Sequence, residues 1–319
     1  MELLAGDIGG TKTLLLRARW RDGQAQVLAE KRFDSAAYAD LADMVREFLA
    51  GACAPVAACL AVAGPVQPAP GGGTQARITN LPWQLDSRRL AQTLGIARLH
   101  LINDLAAVGY GLDLLAPSDL VELQAGQVQA GSLRAVLGIG TGLGMALVAP
   151  AAGSGRVFPS EAGHVDFAPQ DARQVQLREF VRQRLGGGRV SCERLVSGSG
   201  LALHYEFLGG DAVSPDTVAA RAVAGDALAA EAMTLFATVC GAAIGNLTLT
   251  CLPFGGLYLA GGVVQKNLSL FGGSVFLDAV RDKGRMEAVV RQVPIYAITE
   301  PRIGLLGAAR YATLENADV

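Results

Sequence analysis

The sequence predicts an α/β fold, in which strands alternate with helices and build mainly parallel sheets. Residues 56–63 read VAACLAVA, an apolar run typical of a buried strand, and residues 99–102 form a second such run. Residues 39–50 and 87–94 show the spacing of helices with one apolar face. Because strand-like and helix-like segments take turns along the chain, the α/β class is favoured.

Composition limits the classes of protein to which the chain can belong. Its 319 residues are 51% hydrophobic and 18% charged, enough for one large domain or two ordinary ones with a sizeable core. The formal net charge of -2 gives no broad basic surface, so nucleic acid is not an expected partner. Five scattered cysteines without a C-x-x-C pair favour free thiols in a reducing cytoplasm. The first residues lack the basic segment and long apolar core of a signal peptide, so a cytoplasmic location is expected.

One uncharged stretch, between Glu231 and Lys266, has the composition of a membrane span. A span needs about 20 continuous apolar residues, whereas glycine, asparagine and proline interrupt this stretch. It predicts instead a buried helix that ends near Thr250, then a turn and a core strand LYLA, and no membrane partner is expected.

Two further helices are expected towards the end of the chain. A long one begins at Ser214, with Pro215 in its first turn, and continues to the helix end described above, with Gly225 and Gly241 as weak points. Its apolar side chains, Val223 among them, are assigned to the core. The second covers residues 304–314.

The most informative stretch is LLAGDIGGTKTLLL, residues 3–16, in which two apolar runs flank a glycine turn. Glycine has no Cβ, so backbone N–H groups can approach a phosphate closely. Asp7 would repel a phosphate unless a cation lay between them, and Mg²⁺ takes few protein carboxylates and keeps several waters. The turn therefore predicts a nucleotide phosphate with Mg²⁺, and an ordinary glycine hairpin is the alternative.

The same stretch nearly matches the Walker A pattern, G-x-x-x-x-G-K-[ST]. Thr11 stands where the second glycine belongs, and residues 13–20 begin apolar and then alternate as a strand does. A P-loop must open a helix, so a strand–turn–strand hairpin is favoured over a P-loop NTPase.

A second glycine hairpin occupies residues 135–148, which read AVLGIGTGLGMALV. Its core, GIGTG, echoes DIGGT and indicates a distant internal duplication. The Rossmann fingerprint fails because Leu143 or Met145 occupies its last position. A third glycine pair, Gly261 and Gly262, follows LYLA, and the three together are more specific than one turn alone.

Asn103 and Asp104 directly follow the strand-like LHLI. In open α/β sheets ligands bind beyond the carboxyl ends of strands. Asp104 can accept the proton of a substrate hydroxyl as that hydroxyl attacks a phosphate. The alternative is an aspartate that caps the following helix.

Three polar residues further along could take part in chemistry, and Glu161 among them could bind sugar hydroxyls. Glu161 can accept hydrogen bonds, and neutral His164, in the segment PSEAGHVDF, can donate or accept. Glu193 lies in SCERLVSGSG, just before an apolar pair and another glycine turn. The alternatives are a structural histidine at 164 and a helix first-turn carboxylate at 193.

The order of these motifs resembles that of bacterial ATP-dependent glucokinases. In chain order they read GDIGGTKT, AVAGPV, TNLPW, LINDLAAV, LGIGTGLG, SEAGH, CERLVSGSGL and LYLAGGV. The resemblance implies the actin-like sugar-kinase fold, with two α/β domains of a duplicated ribonuclease H-like unit and an interdomain cleft that closes on substrate. It implies a small domain of residues 1–107 plus 303–319 and a large domain of residues 108–302.

The resemblance also implies a reaction, the transfer of the γ-phosphoryl group of ATP to the 6-hydroxyl of glucose. Asp104 is the implied catalytic base, and Asp7 the implied Mg²⁺ residue, acting through water. The implied sugar contacts are Asn103, Asp104, Glu161, His164 and Glu193. The implied ATP contacts are Gly6, Asp7, Ile8, Gly9, Gly10, Thr11, Gly140, Thr141 and Gly142, with Gly261 and Gly262 near the adenosine.

Departures separate the chain from the related ROK sugar kinases and repressors. Those proteins usually carry a C-x-C-G-x-x-G-C zinc cluster, and here only Cys192 stands near that place, so no structural zinc is expected. ROK repressors add a DNA-binding segment before a glycine turn that here begins at Gly6. Lys12 stands where many bacterial glucokinases have asparagine or another polar residue, and it is assigned no role.

The motifs identify the type of reaction better than they identify which pattern of sugar hydroxyls is bound. A kinase for another hexose or an amino sugar stays an alternative, as does a noncatalytic sugar-binding regulator. The family expectation for the assembly is a homodimer, with glucose and ATP as small-molecule partners.

Overall fold

A computed structural model describes residues 1–78, 81–151 and 155–314. Two residues of the TNLPW motif, Thr79 and Asn80, and the last five residues therefore lie outside the described part. The chain divides into two compact units. Unit 1 comprises Met1–Ala116, Ala151–Pro159 and Arg302–Val319, and unit 2 comprises Pro117–Pro150 and Ser160–Pro301. The domain boundaries expected from the family stay a prediction.

The helices and strands of the described residues alternate along the chain, which confirms the α/β class. The strands are β1 (Glu2–Ile8), β2 (Lys12–Arg21), β3 (Gln24–Asp34), β4 (Ala57–Val62), β5 (Val66–Pro68), β6 (Thr74–Arg77), β7 (Gln84–Asp86), β8 (Arg98–Asn103), β9 (Leu120–Gln124), β10 (Arg134–Ile139), β11 (Leu143–Ala149), β12 (Arg156–Ser160), β13 (Leu257–Ala260) and β14 (Ile295–Ile298). The helices are α1 (Leu41–Leu49), α2 (Ser87–Leu94), α3 (Asp104–Gly111), α4 (Ala172–Arg184), α5 (Gly198–Phe207), α6 (Pro215–Val223), α7 (Ala227–Cys251), α8 (Gly262–Lys266), α9 (Leu268–Phe271), α10 (Ser274–Arg281), α11 (Glu287–Val290) and α12 (Ile303–Tyr311).

The sheets of the two units repeat one arrangement. In unit 1 the strand order is β3-β2-β1-β4-β8, and in unit 2 the strands β11-β10-β13-β14-β9 are neighbours in that order. The four strands β2-β1-β4-β8 therefore correspond to β11-β10-β13-β14. Each glycine hairpin, β1-β2 and β10-β11, is antiparallel, and each first hairpin strand has two parallel strands on its other side. The expectation of mainly parallel sheets is therefore wrong, because the hairpins add antiparallel pairs and make both sheets mixed.

Alternation along β1 buries both faces of the unit 1 sheet. Leu4 and Ile8 face a core shared with α1 and α2, whereas Leu3 and Ala5 face a core shared with α3 and α12. Helices α3 and α12 lie unusually close, since a Cβ at Gly307 would clash with the carbonyl oxygen of Ala107. This packing holds α12, the last helix of the described residues, against the sheet that carries the first glycine turn.

The single long helix predicted from Ser214 onwards is two helices. Helix α6 ends at Val223, Gly225 has a φ of +91°, and the Asp226 carboxylate caps α7 by accepting from the Ala229 N–H at 2.9 Å. The left-handed backbone that glycine tolerates breaks the helix here. Val223 is 91% exposed at this break, so its assignment to the core is wrong.

Helix α7 is a core helix of unit 2. Among the described residues it alone is long and apolar enough to cross a membrane by length and composition, and 56% of its most apolar window is buried. It ends at Cys251, one residue beyond the predicted Thr250. Buried side chains such as Phe236 and Cys240 pack it into the main core, which confirms the interpretation of this stretch as a buried helix.

Candidate active site

The first glycine turn joins β1 to β2 within an antiparallel hairpin. Ile8 and Thr13 are the last paired residues, and the Gly9 N–H donates to the Lys12 carbonyl at 3.1 Å across the turn. A strand follows the turn instead of a helix, which confirms the hairpin and contradicts the P-loop alternative. Gly9, Gly10 and Thr11 thus form a tip whose backbone is not masked by β-carbons at its two glycines.

Two other residues of the predicted phosphate segment lie inside the strand. A Cβ at Gly6 would lie 2.7 Å from Cδ2 of Leu60, and the Ile8 side chain is fully buried. Core packing therefore accounts for the missing side chain at Gly6 and for the apolar side chain of Ile8. Their roles towards ATP stay predictions that concern only their backbone.

Asp7 carries the one carboxylate of this segment. Its side chain is exposed at the end of β1, although nearby protein atoms remove enough water to raise the pKa of its carboxyl. Lys12 opposes this effect through its positive charge. Asp7 is thus placed, by position and charge, where it can face a cation.

Ser35 braces the first turn, a role that the sequence did not reveal. Its buried hydroxyl donates to the Gly9 carbonyl at 2.8 Å and contacts Oγ1 of Thr13 at 3.0 Å. Its N–H donates to the Thr11 carbonyl at 3.1 Å. No local sequence pattern predicts this contact, because Ser35 is brought to the turn only by the pairing of β3 with β2.

Asn103 and Asp104 lie at the carboxyl end of β8, as predicted. Asn103, not Asp104, caps α3: its Oδ1 accepts from the N–H groups of Leu105 and Ala106, at 2.9 and 3.1 Å. Its Nδ2 donates to the Gly64 carbonyl at 3.2 Å. The alternative of Asp104 as the helix cap is therefore wrong. Asp104 is the first residue of α3, half-buried, and its Oδ1 accepts from the Leu105 N–H at 2.8 Å.

The second glycine turn is held by different partners. The Gly140 N–H donates to the Gly142 carbonyl at 2.9 Å, and the Gly140 carbonyl accepts from the Gly198 N–H at 2.8 Å. Thr141 is exposed at the tip. Gly198 begins α5, whose cap is Ser197, so the glycine turn expected in SCERLVSGSG is a helix start.

Gly261 and Gly262 follow β13 beside the second hairpin. Gly261 has a φ of +98°, and a Cβ there would clash with the carbonyl of Ile139, the last residue of β10. Glycine is therefore required for the chain to turn away next to this hairpin. Gly262 is exposed and opens α8.

Glu161, His164 and Glu193 lie together in unit 2 and are called the acid–histidine cluster below. His164 Nε2 lies 3.8 Å from Oε2 of Glu161, and its Nδ1 lies 3.8 Å from Oε1 of Glu193. His164 is exposed, so it is not a buried core histidine. The second oxygen of Glu193, Oε2, accepts from the Leu143 N–H at 3.0 Å. One exposed imidazole between two carboxylates can both donate to and accept from neighbouring hydroxyls.

Arg189 supports this cluster and was not singled out from the sequence. It donates to the His164 carbonyl at 2.6 Å and pairs with Asp166. It follows a glycine run, GGG, and no motif marks it. Its contact fixes the backbone from which the His164 side chain extends.

A divalent cation of the Mg²⁺ type fits the first turn. Such an ion takes one or two protein carboxylates and keeps several waters. Asp7 offers one exposed carboxylate beside backbone amides suited to phosphate. Elsewhere in residues 1–78, 81–151 and 155–314 there is no group of three or more histidine, cysteine, aspartate or glutamate side chains that could hold a metal.

Comparison with known proteins identifies the relatives of this fold. The family model described as "Glucokinase" matches residues 4–315. The glucokinase of Nostoc punctiforme is 40% identical, over 96% of this chain and 97% of that protein. A crystal structure of a glucokinase from an Antarctic psychrotroph has a TM-score of 0.85 at 30% identity, and covers 98% of both chains. A glucokinase of Balamuthia mandrillaris, solved in complex with glucose, has a TM-score of 0.77 at 25% identity, over 98% of this chain and 93% of that one.

The two mixed-sheet α/β units, their glycine hairpins and these structural matches define an actin-like sugar kinase. The family model then gives the narrower assignment. The chain belongs to the glucokinase family, which confirms the predicted family outside the ROK group.

Proposed function

We propose that this chain transfers the γ-phosphoryl group of ATP to the 6-hydroxyl of glucose, and so forms glucose 6-phosphate and ADP. The observation that carries the proposal is the extent of the family match, residues 4–315. That range includes both glycine hairpins, Asp104 and the acid–histidine cluster. Relatives named glucokinase also match over nearly their whole length.

Asp104 is the proposed catalytic base. Phosphoryl transfer depends mostly on positioning and charge stabilisation, and a hydroxyl nucleophile must lose its proton during attack. The Asp104 carboxylate stands at the carboxyl end of β8, half-buried. It would orient the 6-hydroxyl and accept its proton, while Asn103 would use the remaining N–H of its amide towards the sugar.

The acid–histidine cluster is proposed to recognise the other sugar hydroxyls. A site built to hydrogen-bond a hydroxyl strongly rejects analogues that lack or misplace it. Glu161 and Glu193 offer acceptors, and His164 offers one donor and one acceptor when neutral. Their grouping around one imidazole supports a single ligand for all three.

The glycine turns are proposed to bind ATP. The amides of Gly9 and Gly10 in one turn and of Gly140, Thr141 and Gly142 in the other would donate to phosphate oxygens. Gly261 and Gly262 would lie near the adenosine. Mg²⁺ would neutralise phosphate charge when bound, and Asp7 would hold it through water. A homodimer in the cytoplasm completes the proposal, which sedimentation of the purified protein and cell fractionation test.

A coupled ADP-release assay tests the substrate directly. Glucose, fructose, mannose, galactose and N-acetylglucosamine are compared at equal concentrations, with ATP and Mg²⁺. We expect glucose to give the highest kcat/KM. Turnover only with another sugar would favour the kinase for another hexose or amino sugar, and no turnover with any sugar would favour a sugar-binding regulator.

A further inference from the structure

We propose that Gly142 is a sugar-positioning residue, although it lies in a turn expected to contact ATP. Its missing side chain gives room to the Glu193 carboxylate, which couples the acid–histidine cluster to the second glycine turn. The inference rests on the proposed function, because it takes this cluster as the sugar contacts.

The two oxygens of Glu193 face different partners. Oε2 accepts from the Leu143 N–H at 3.0 Å, and Oε1 lies 3.8 Å from Nδ1 of His164. Leu143 is the first residue after the second glycine turn. The backbone hydrogen bond therefore fixes the plane of a carboxylate whose other oxygen points into the cluster.

Gly142 is matched specifically to this carboxylate. A Cβ on Gly142 would lie 2.6 Å from Oε2 of Glu193 and 3.3 Å from its Cδ, and the three nearest atoms all belong to Glu193. Gly142 is not among the glycines with positive φ. Backbone conformation thus does not require glycine at this position, whereas a Cβ here would displace the Glu193 carboxylate.

The carbonyl group of Leu143 lies against the segment that carries Glu161 and His164, the other two residues of the acid–histidine cluster. Gly163 lies between Glu161 and His164 in the sequence, and a Cβ there would clash with the Leu143 carbonyl. The backbone of Leu143 is therefore held by Glu193 at its N–H and approached by Gly163 at its carbonyl. A sugar that orders the cluster also orders the residue on which the glycine turn ends.

This arrangement makes sugar and nucleotide binding mutually dependent. Coupling between two sites is reciprocal in binding free energy, so glucose lowers the Kd of ATP by the same factor by which ATP lowers the Kd of glucose. A change that displaces Glu193 from Leu143 weakens glucose binding first, since Oε1 then loses its orientation.

Two glycine-to-alanine substitutions, one in the second glycine turn and one outside both turns, test this role. In Gly142→Ala the methyl group pushes the carboxylate away, so the cluster no longer holds this charged acceptor in place for a sugar hydroxyl. We expect the KM for glucose to rise by about 10–100-fold, the usual effect of losing a hydrogen bond to a charged group. Gly71→Ala, in a loop outside both glycine turns, is the matched control, because no atom lies within 4 Å of its Cβ position. It leaves the KM for glucose at the wild-type value. Equal KM values for glucose in the two variants would overturn the proposal.

A thermal cycle gives a readout that does not depend on turnover. Gly142→Ala lowers the Tm of the unliganded protein when Glu193 is present, and has little effect in a Glu193→Ala background, where the methyl group has room. Additive changes in Tm contradict the contact. Turnover by the wild type distinguishes failure of the proposed function from failure of the role of Gly142. A wild type that is inactive on glucose refutes the proposed function. An active wild type, with the same KM for glucose in both alanine variants, refutes only the role of Gly142.

Discussion

The two glycine hairpins have the same strand directions, but their turns are braced in different ways. Ser35 braces the first through a buried hydroxyl, at 2.8 Å from the Gly9 carbonyl. Glu193 braces the second through a half-exposed carboxylate, at 3.0 Å from the Leu143 N–H. A buried hydroxyl can only stabilise the turn, whereas a partly exposed carboxylate can also meet a ligand. Two hairpins of the same topology can therefore differ in function because different residues hold their turns in place.

The turns also differ in length and charge. Ile8 pairs with Thr13 across the first turn, and Ile139 pairs with Leu143 across the second, so the first is one residue longer. Alignment of DIGGT with GIGTG places Asp7 against Gly138. Only the first hairpin thus has a carboxylate for a cation at this position, and only the second connects to the acid–histidine cluster.

The largest expected effect concerns Asp104 in unit 1, whose substitution should lower the rate of phosphoryl transfer without weakening sugar binding by the cluster in unit 2. Asp104→Asn removes the proton acceptor but keeps a polar side chain of the same size. We expect kcat to fall by about 10²–10⁴-fold, the usual contribution of a general base, while the Kd for glucose stays close to that of the wild type. ADP release and calorimetric titration measure the two quantities.

Asp22→Asn is the control for Asp104→Asn. Asp22 is exposed in a turn with a φ of 52°, a conformation that asparagine accepts. A near-normal kcat in Asp104→Asn would refute the role of this carboxylate as base.

The next effect concerns recognition in unit 2. Glu161→Ala removes a charged acceptor, and a hydrogen bond to a charged group is worth about 1.5–3 kcal/mol, or about 10–100-fold in binding. We expect the KM for glucose to rise by this factor and the KM for ATP to change little. Glu231→Ala, which breaks an exposed ion pair with Arg173, is the control. Equal rises in both KM values would count against a sugar contact.

A pH effect on stability is expected from His204 in the core of unit 2. Burial lowers the pKa of its imidazole to about 4 from the ordinary 6.5. Nδ1 donates to the Gly200 carbonyl at 2.7 Å, and Nε2 has no hydrogen-bond partner among the described residues. The folded protein keeps this imidazole neutral, so the unfolded chain binds more protons below pH 6.5 and stability falls as the pH decreases towards 4.

The His204 contribution is on the order of 3 kcal/mol across that range. His204→Gln lacks this titration, and the difference in free energy of unfolding between wild type and variant should therefore narrow as the pH falls. Urea titrations at several pH values measure it. A difference independent of pH would show that His204 titrates alike in both states.

The smallest effect tests the brace of the first turn. Ser35→Ala leaves the Gly9 carbonyl without its hydroxyl donor and should cost about 1–3 kcal/mol of unfolding free energy. Ser118→Ala, at an exposed position, is the control. Loss of stability with an unchanged KM for glucose would agree with a purely structural brace, while a raised KM for glucose would erase the contrast with Glu193.

Sequence patterns predicted the local parts of this molecule well. The hairpin around Gly9, the buried strand β4 and helix α2 follow from apolar periodicity and from turn residues that act over short distances. The grouping of Glu161, His164 and Glu193 followed only from a family resemblance, because tertiary folding brings Glu193 to the other two.

The missed features have physical reasons. Ser35 and Arg189 act through contacts between segments distant in sequence, and no short pattern encodes such contacts. Gly225 was marked in the sequence as a weak point but not predicted as a helix end, because alanine-rich helix propensity on both sides outweighs one glycine. In the structure Asp226 supplies a new cap. Asn103 rather than Asp104 caps α3 because the strand ends with the asparagine still extended.

The central claim, that two similar hairpins have divided their duties, is tested most directly by one crossed measurement. The KM for glucose and the Mg²⁺ concentration for half-maximal rate are determined for Asp7→Asn and for Gly142→Ala. We predict that Asp7→Asn raises the Mg²⁺ requirement by about 10–100-fold, as is typical when a residue acting through a metal's bound water is lost, with little change in the KM for glucose. Gly142→Ala should instead raise the KM for glucose and leave the Mg²⁺ requirement nearly unchanged. The same pattern in both variants would contradict the division of duties between the two turns.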